Sequence, residues 1–217
     1  MIEIILVKYN APQFENACVA SVMGQTFSPY HLTVWDNYPK NENLGKLWNK
    51  LIKKSEAEYL CLLNTDTLVE PGWESKLIEV FKMYNDAGVV GPTTCPQGSK
   101  NAQGKESKSD HMEIVDFGAL YPGWCLSGFC IFFPKKIWEE VGGFPEDFGF
   151  YGQEVAFIDR VTEKGYKQYW RKDAYVWHYG GASIKKAEKA GEIDEQAERK
   201  IAREKFGKLR EEYIGGK

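Results

Sequence analysis

A chain of 217 residues is long enough to bury one sizeable core and falls within the usual length of a single domain. Hydrophobic residues make up 43% of the chain and charged residues 27%, a composition that excludes an intrinsically disordered protein. The formal net charge of -3 argues against a globally basic nucleic-acid-binding protein, so we expect one folded domain whose partner is not a nucleic acid.

The cysteines and the first residues bear on location. Five cysteines form an odd set without a Cys-x-x-Cys pair, and four lie in or beside apolar segments, where cysteine behaves as a small hydrophobic residue. Residues 1–8 lack the basic start and the cleavage site of a signal peptide, and no apolar run is long enough to span a bilayer. We therefore expect a soluble protein in the reducing environment of the cytoplasm.

The beginning of the chain alternates apolar runs with amphipathic segments. Residues 2–7 form a continuous β-branched run that predicts a strand buried on both faces of a parallel sheet, and residues 13–23 predict the helix after it. A second apolar run ends at Asp36. Apolar residues within 44–52 then recur with the spacing of an amphipathic helix, and Asn43 is the candidate N-cap.

The same alternation continues through the middle of the chain. A third strand at 59–63 leads to Asp66, residues 71–85 predict a helix that begins with proline, and residues 87–90 predict a fourth strand. Strands and helices at these spacings imply right-handed βαβ crossovers. We therefore predict an α/β fold with a mostly parallel central sheet flanked by helices.

The segment at 92–112 is rich in Gly, Ser, Lys and Gln and has no apolar periodicity. It predicts a long mobile loop, which is either a lid over a site or a surface insertion without a role. The remaining predicted elements, in chain order, are strands at 113–121 and 125–133, a short helix at 134–141, a helix at 153–164, and strands at 167–171 and 174–178.

The tail at 184–213 is highly charged, and Gly191 divides it into what we predict to be two helices. A thin apolar stripe in the tail is formed by Ile193, Ala197, Ile201 and Leu209. We expect these helices to pack on the domain surface. The alternative is a helix for self-association or for peripheral contact with a membrane surface.

Two of the predicted strands each end in an acidic residue, Asp36 and Asp66. In a sheet covered by helices, ligands bind at the carboxyl ends of the strands, and a carboxylate held there can carry a divalent cation against a diphosphate. The two acids therefore suggest a site for a nucleoside diphosphate. An acid at such a position otherwise caps a turn or a helix.

A series of short motifs follows the ends of the predicted elements. In chain order they are Val7-Lys8-Tyr9-Asn10, Asp36-Asn37, Asn43-Leu44-Gly45, Asn64-Thr65-Asp66, Leu126-Ser127-Gly128, Gly142-Gly143-Phe144, Gly152-Gln153-Glu154 and His178. Together they resemble the motifs of glycosyltransferases of family 2. The resemblance implies a GT-A (Rossmann-like) domain at 1–183 and leaves 184–217 as a C-terminal helical extension. It also implies a nucleotide-diphosphate sugar donor, inversion at the anomeric carbon, and a divalent metal, Mn or Mg.

The resemblance further implies which residues bind the nucleotide. These are Val7, Tyr9, Asn10, Asp36, Asn37, Gly45, Asn64 and Thr65. Tyr9 and Asn10 follow the first strand and are placed to stack on a base and to hydrogen-bond with it, and Asp36 is placed to accept from the imide N–H of a uracil. The donor expected from the family is a UDP-sugar.

The metal is expected at Asp66, and His178 matches a histidine that completes the metal site in some relatives. An imidazole ligand suits Mn better than Mg. The family motif is often Asp-x-Asp, whereas this chain has Asn64 at the first position, which removes one negative charge from the site. For His178 the alternative is a structural role.

Glu154 matches the position of the catalytic base of the family, which is usually an aspartate preceded by another acid; here Gln153 precedes it. A base must lie within roughly 3 Å of the hydroxyl that it deprotonates, so the longer side chain changes the geometry required of the site. Because the neighbouring acid is lost, we expect the pKa of Glu154 to be less raised than in an acid pair. The alternative is a first-turn acid favoured by the helix dipole.

Trp124 and Gly128 are the residues expected at the sugars. The flat ring of Trp124 would stack on a sugar, or else it is buried in the core. Gly128 would allow the backbone to approach the donor closely. The expected acceptor is a glycan, a protein or a lipid-linked sugar, and the sequence leaves the oligomeric state open.

Other α/β enzymes fit the sequence less well. A dinucleotide-dependent oxidoreductase or a methyltransferase needs a glycine-rich turn after the first strand, and a P-loop NTPase needs a Walker sequence; neither is present. A sugar nucleotidyltransferase normally has a Gly- and Arg-rich N-terminal loop, which is also missing. The main rival is a catalytically silent, glycosyltransferase-like protein that binds a nucleotide sugar, because both Asn64 and the Gln153-Glu154 pair depart from the family pattern.

Overall fold

The computed structural model describes residues 1–149 and 151–206. The strands in this part of the chain are β1 (Ile2–Lys8), β2 (Tyr30–Asp36), β3 (Tyr59–Leu63), β4 (Thr67–Val69), β5 (Ala87–Thr93), β6 (Ile114–Asp116), β7 (Cys130–Pro134) and β8 (Lys167–His178). The helices are α1 (Pro12–Gln25), α2 (Leu44–Ile52), α3 (Trp73–Met83), α4 (Ala102–Lys105), α5 (Phe117–Leu120), α6 (Lys135–Glu140), α7 (Gln153–Glu163), α8 (Ala182–Lys189) and α9 (Glu195–Phe206).

The described strands form one sheet in the order β2-β1-β3-β7-β5-β8-β4, with β6 also paired to β8. Strand β1 pairs in parallel with β2 and β3, and β5 pairs in parallel with β8. Because β7 lies antiparallel between β3 and β5, those two strands run in the same direction. The prediction of a mostly parallel sheet flanked by helices is confirmed, since only β4, β6 and β7 oppose the other described strands.

The antiparallel strands decide which segments reach the carboxyl edge of the sheet. The amino end of β7 lies beside the carboxyl end of β3, where the N–H of Asn64 donates to the carbonyl of Phe129 (2.9 Å). In the same way, β4 pairs antiparallel with the end of β8 and sets Thr67 opposite His178. Segments that are distant in the chain therefore converge just beyond β3.

Each face of the sheet buries its own apolar cluster, because side chains alternate between the two faces of a strand. Ile4 and Leu6 of β1 belong to the cluster that α1 and α3 cover, whereas Ile5 belongs to the cluster that α2, α6 and α7 cover. Full burial of each such side chain contributes about 1.5–3 kcal/mol. Helix α2 begins as predicted, since the Asn43 side chain accepts the N–H of Lys46 (3.0 Å).

The prediction of a long mobile loop at 92–112 was wrong. Strand β5 extends to Thr93, and a short helix, α4, follows. The side chains of Ser99, Asn101 and Gln103 are buried. The segment has no apolar periodicity because hydrogen-bonded polar side chains, rather than apolar ones, fix it to the rest of the domain.

Three strand predictions were also wrong in their limits. The strand predicted at 125–133 begins only at Cys130, as β7. Residues 113–121 form β6 and α5 instead of one strand, because the Asp116 side chain accepts the N–H of Ala119 (3.0 Å) and caps a helical turn. Residues 167–178 form one strand instead of two. Arg171 and Asp173 pair within it at 2.6 Å, so the charged residues in the middle of β8 continue the strand.

The C-terminal tail forms two helices on either side of Gly191, as predicted, and it packs on the domain. The apolar stripe was assigned to the wrong face, since Ile201 is 42% exposed while Ala187 and Ala202 are buried. Leu209 lies outside the described residues. Among residues 1–149 and 151–206, no helix has both the length and the apolar character needed to cross a bilayer.

Candidate active site

A cavity of about 940 Å³ opens at the carboxyl edge of the sheet. Its walls are the ends of β1, β3 and β8, the segments at 97–101 and 124–129, the start of α7, and the helices α8 and α9. It brings together most of the residues that the sequence singled out, namely Val7, Tyr9, Asn37, Asn64, Thr65, Asp66, Trp124, Gly128, Glu154 and His178. These residues span the chain, so the fold gathers them at one edge.

Asp36 and Asn10 lie outside the lining of the cavity. The side chain of Asp36 is 61% exposed, and its carboxylate lies 3.6 Å from the Lys8 ammonium and accepts the N–H of Tyr38 (3.1 Å). Asn10 has a φ of 50° and accepts from the Lys186 side chain (3.2 Å). Contacts of these two residues with a nucleotide stay predictions.

Gly45 serves packing in this structure. A Cβ at this position would lie 2.0 Å from the carbonyl oxygen of Pro145, so only glycine lets α2 approach that turn. Asn43 joins the same two segments by donating to the carbonyl of Phe148. Gly45 lies outside the lining of the cavity, and its contact with a nucleotide also stays a prediction.

Asp66 and His178 form the most tightly constrained pair in the cavity. Nε2 of His178 lies 3.1 Å from Oδ1 of Asp66, and both side chains are buried. Nδ1 of His178 lies 2.6 Å from the carbonyl oxygen of Gly98, which can only accept, so Nδ1 carries a proton. In a neutral imidazole, the lone pair of Nε2 therefore faces the carboxylate. Two facing acceptors need a proton or a cation between them.

The surroundings of Asp66 keep its carboxyl ionised. Burial raises its pKa, but the hydrogen bond and the charge of a protonated His178 and the N–H of Ala182 lower it, and the net pKa is below the usual range. The Ala182 N–H donates to Oδ2 at 3.1 Å. An ionised carboxylate beside an imidazole fixed through its other nitrogen is the arrangement found around protein-bound metals.

A cation at this pair would have few protein ligands. Within the described ranges, no group of three or more His, Cys, Asp or Glu side chains comes together to hold a metal ion. Asn64 lies next to the pair, with its Nδ2 3.4 Å from Nε2 of His178. The residues present fit a divalent metal that takes further oxygen ligands from a bound substrate and water.

Glu154 lies in the first turn of α7, after Gly152, which has a φ of 104°. Its side chain is half-buried and faces the cavity. A Cβ at Gly128 would lie 2.8 Å from Cγ of Glu154, so the two residues are in direct contact. Burial raises the pKa of Glu154, although backbone hydrogen bonds oppose the shift. A carboxylate with a raised pKa in a cavity is suited to accept a proton.

Gln153, the residue before Glu154, has a structural role. Gln153 is buried and donates to the carbonyl of Gly149, which holds the turn that leads into α7. Its Oε1 has no hydrogen-bond partner among the residues that the structure describes. Trp124 is only half-buried and reaches the cavity, so its ring is not an ordinary core side chain.

The tail contributes residues that the sequence analysis missed. The hydroxyl of Tyr9 donates to Glu192 (3.2 Å), and the hydroxyl of Tyr38 donates to the other oxygen of the same carboxylate (3.4 Å). The rings of these two tyrosines meet edge to face with centroids 5.6 Å apart. Burial and then Glu192 raise the pKa of Tyr9. The link between α8 and α9 therefore lies over the predicted base-binding residues.

A second contact joins the tail to the turn before α7. The hydroxyl of Tyr151 donates to Glu195 (2.8 Å), and the Arg199 guanidinium lies 4.4 Å from the ring centroid of Tyr151. Tyr151 stands next to the Gly152-Gln153-Glu154 motif, which is a signal that sequence reasoning could have used. Charged residues on amphipathic helices look like a solvated face, so nothing local singles out Glu195 or Arg199.

The lining of the cavity is more acidic than basic. Its described acidic side chains are Glu42, Asp66, Glu154, Glu192, Asp194, Glu195 and Glu198, and its described basic side chains are Lys100, Lys185 and Arg199. An anionic ligand that enters such a cavity needs a compensating positive charge. A bound cation at the Asp66 and His178 pair would supply it.

Comparisons with known proteins bear on the family and on the fold. The model of glycosyl transferase family 2 matches residues 37–142. The solved structure of S. aureus TarS 1-349 is similar with a TM-score of 0.65 at 13% identity, over 98% of this chain and 72% of that chain. GalNAc-T7, solved with UDP, GalNAc and Mn2+, has a TM-score of 0.60 at 12% identity, over 82% of this chain and 43% of that chain.

No curated protein matches the chain. The low identities to the solved structures bear on the fold alone, and this chain spans less than half of the GalNAc-T7 chain. The family match covers α2, β3, the Asp66 turn and the sheet up to α6, which are the elements that build one side of the cavity. Residues 37–142 therefore match glycosyl transferase family 2, and the chain has the GT-A fold.

Proposed function

We propose that this protein is an inverting glycosyltransferase that moves a sugar from a UDP-sugar to an acceptor hydroxyl, with Glu154 as the base and a divalent metal at Asp66 and His178. The family gives the class of reaction. The observation that carries the proposal is that a carboxylate with a raised pKa and an Asp-His pair face the same cavity.

The donor would bind along the ends of β1 and β3, where Val7, Tyr9, Asn37 and Thr65 line the cavity. Asp66 and His178 would hold Mn or Mg through Oδ and Nε2. Such a metal supplies Lewis-acid stabilisation of the charge on a departing diphosphate. The acidic lining supports the need for this cation, since a diphosphate would otherwise face mainly carboxylates.

Glu154 would act on the acceptor. Its carboxylate takes the proton of the acceptor hydroxyl as that oxygen attacks the anomeric carbon of the sugar. The new carbon–oxygen bond forms while the bond to the diphosphate breaks, and the nucleoside diphosphate leaves with the electron pair. Attack from the face opposite the leaving group inverts the anomeric carbon. Gly128 contacts Glu154, and Trp124 lines the same cavity, in which the two sugars would meet.

Calorimetric titration with UDP, GDP and dTDP, each with and without Mn, tests the donor site. We expect Mn-dependent binding of UDP, and the GalNAc-T7 structure, which holds UDP and Mn2+, makes these the first ligands to use. Absence of binding to all three nucleotides would overturn the donor site. Binding without turnover of any UDP-sugar over a panel of glycan, peptide and lipid-linked acceptors would favour the silent binding protein.

A further inference from the structure

We infer that three buried amide side chains, those of Asn101, Gln103 and Gln168, are positioning residues that hold the backbone at 124–127 and so shape the sugar side of the cavity. We call these three side chains the amide clamp. The hydrogen bonds of the clamp follow from the geometry alone, whereas its effect on the binding of a sugar rests on the proposed function.

The clamp acts on a segment that has no regular structure. Residues 124–127 lie between α5 and β7, so no strand or helix ladder satisfies their backbone groups. Cys125 and Leu126 are buried. Buried backbone groups need partners. The Trp124 N–H donates to the carbonyl of Tyr121 (3.1 Å), and buried side chains supply several of the other partners.

Gln168, on β8, holds the first half of the segment. Its Nε2 donates to the carbonyl of Trp124 (2.8 Å), and its Oε1 accepts the N–H of Leu126 (2.9 Å). A side-chain amide that bonds both a carbonyl and an N–H of a strand-like segment replaces a neighbouring peptide group. Gln168 is buried, so water does not replace these bonds.

Gln103 and Asn101, at the start of α4, hold the second half. Oε1 of Gln103 accepts the N–H of Ser127 (2.7 Å), and Nδ2 of Asn101 donates to the carbonyl of Cys125 (3.0 Å). Gln103 is itself fixed, because its Nε2 donates to the carbonyl of Pro92 (2.7 Å). Both side chains are buried, and Gln103 is fully so.

The clamp therefore holds the backbone directly between two site residues. Trp124 stands at one end of the held segment, and Gly128 follows the other end and contacts Glu154. Of the three clamp residues, Asn101 itself lines the cavity, whereas Gln103 and Gln168 lie outside its lining. The nucleotide side of the cavity, at Tyr9 and Asn37, belongs to the segments that follow β1 and β2. Loss of the clamp should thus weaken the contacts with the sugar of the donor more than the contacts with its nucleotide.

Hydrogen–deuterium exchange of the free protein tests the clamp without any ligand. The variants Gln103→Met and Gln168→Met keep side-chain size but remove the hydrogen bonds. We expect amides at 124–128 to exchange roughly tenfold faster in each, because local opening there loses its competing bonds. The two variants lose different bonds of one segment, so either one decides the outcome if the other does not fold.

A matched control is Glu74→Met. The carboxylate of Glu74 is buried in α3 and accepts the N–H groups of Phe27 and Ser28, far along the chain from the cavity. This variant should speed exchange at 26–28 and leave 124–128 unchanged. Unchanged exchange at 124–128 in both clamp variants, or an equal increase in the control, would overturn the clamp.

Binding of UDP and of a UDP-sugar to the same variants tests the effect on the site. We expect the affinity for UDP to stay within about twofold and the affinity for the UDP-sugar to fall roughly tenfold, as when bound geometry is lost on one side of a ligand. Equal weakening of both ligands would overturn the positioning role. If the wild-type protein binds no nucleotide, the proposed function fails, and the exchange experiment still decides whether the clamp exists.

Discussion

Glu154 lies in contact with Gly128, so closely that a Cβ at Gly128 would be 2.8 Å from Cγ and 3.1 Å from Oε1 of Glu154. The two residues come from different segments: Gly128 precedes β7 in the middle of the sheet, and Glu154 begins α7. The absence of a side chain at Gly128 thus leaves the space in which the carboxylate lies.

Gly128→Ala should therefore displace the Glu154 carboxylate. Since a misplacement of about 1 Å can cost on the order of 100-fold in rate, we expect turnover of the UDP-sugar to fall roughly 10- to 100-fold while UDP affinity changes little. Steady-state kinetics and calorimetry on one preparation measure both. Gly24→Ala is the control, because a Cβ at Gly24 meets no atom within 4 Å. Wild-type turnover in Gly128→Ala would show that this contact does not set the position of the base.

Glu154→Gln should remove the base and spare the donor site. General-base catalysis contributes typically 10²- to 10⁴-fold, so we expect a loss of that size in turnover with UDP affinity retained. In the wild type, burial raises the pKa of Glu154, and only its ionised form accepts a proton. The turnover rate should thus increase as the pH rises through a pKa above the ordinary range of glutamate. This increase with pH should be absent in Glu154→Gln. Retained turnover would show that another residue is the base.

The same substitution should stabilise the protein at neutral pH. A raised pKa means that folding favours the protonated form of Glu154, so the wild type has its full stability below the ordinary glutamate pKa and loses stability as the pH rises through the raised value. Glu154→Gln avoids this loss and should be more stable than the wild type at pH 8, with no gain at pH 4. Urea unfolding at both pH values measures the difference. A gain that is independent of pH would indicate another cause.

Asp66→Asn should abolish the Mn-dependent part of UDP binding. Asparagine can still accept the Ala182 N–H, so the fold is kept, while the charge that a cation needs is lost. We expect at least a roughly tenfold weaker affinity in the presence of Mn and an unchanged affinity in its absence. Asp86→Asn serves as the control, because the Asp86 carboxylate forms an ion pair with Lys167 outside the lining of the cavity. Mn-dependent binding that survives Asp66→Asn would rule out this metal site.

Glu192→Ala should strengthen the binding of UDP. Glu192 accepts from the hydroxyls of Tyr9 and Tyr38 and adds a negative charge where an anionic nucleotide would enter. Its removal deletes both hydrogen bonds and the negative charge, and we expect a gain of about 0.5–1 kcal/mol in UDP affinity at low salt that shrinks at high salt. Glu188→Ala makes the same change in charge on α8 at an exposed position and should have no effect. Weaker binding to Glu192→Ala would mean that the carboxylate helps to hold the ligand.

Local patterns were enough to predict many of the regular elements. The buried run of β1 and the amphipathic spacing and N-cap of α2 are determined within a few residues, so they can be read without knowing what packs against them. Gln103 shows the limit of such reading. Its amide is buried because it bonds the backbone at Pro92 and Ser127, and no local pattern distinguishes a glutamine with such partners from a solvated one.

The sequence by itself determined most of the strands and the acid that follows β3, because each stands at a recognisable place in its own element. The candidate base and the histidine that ends β8 came from the resemblance to glycosyltransferases of family 2. Only the tertiary structure decided which of these meet. The antiparallel entry of β7 sets Gly128 against Glu154, β4 sets Asp66 beside His178, and the tail brings Glu192 over Tyr9. These contacts join residues far apart in the chain, and their distances depend on strand pairing and on how helices pack, which no single segment contains.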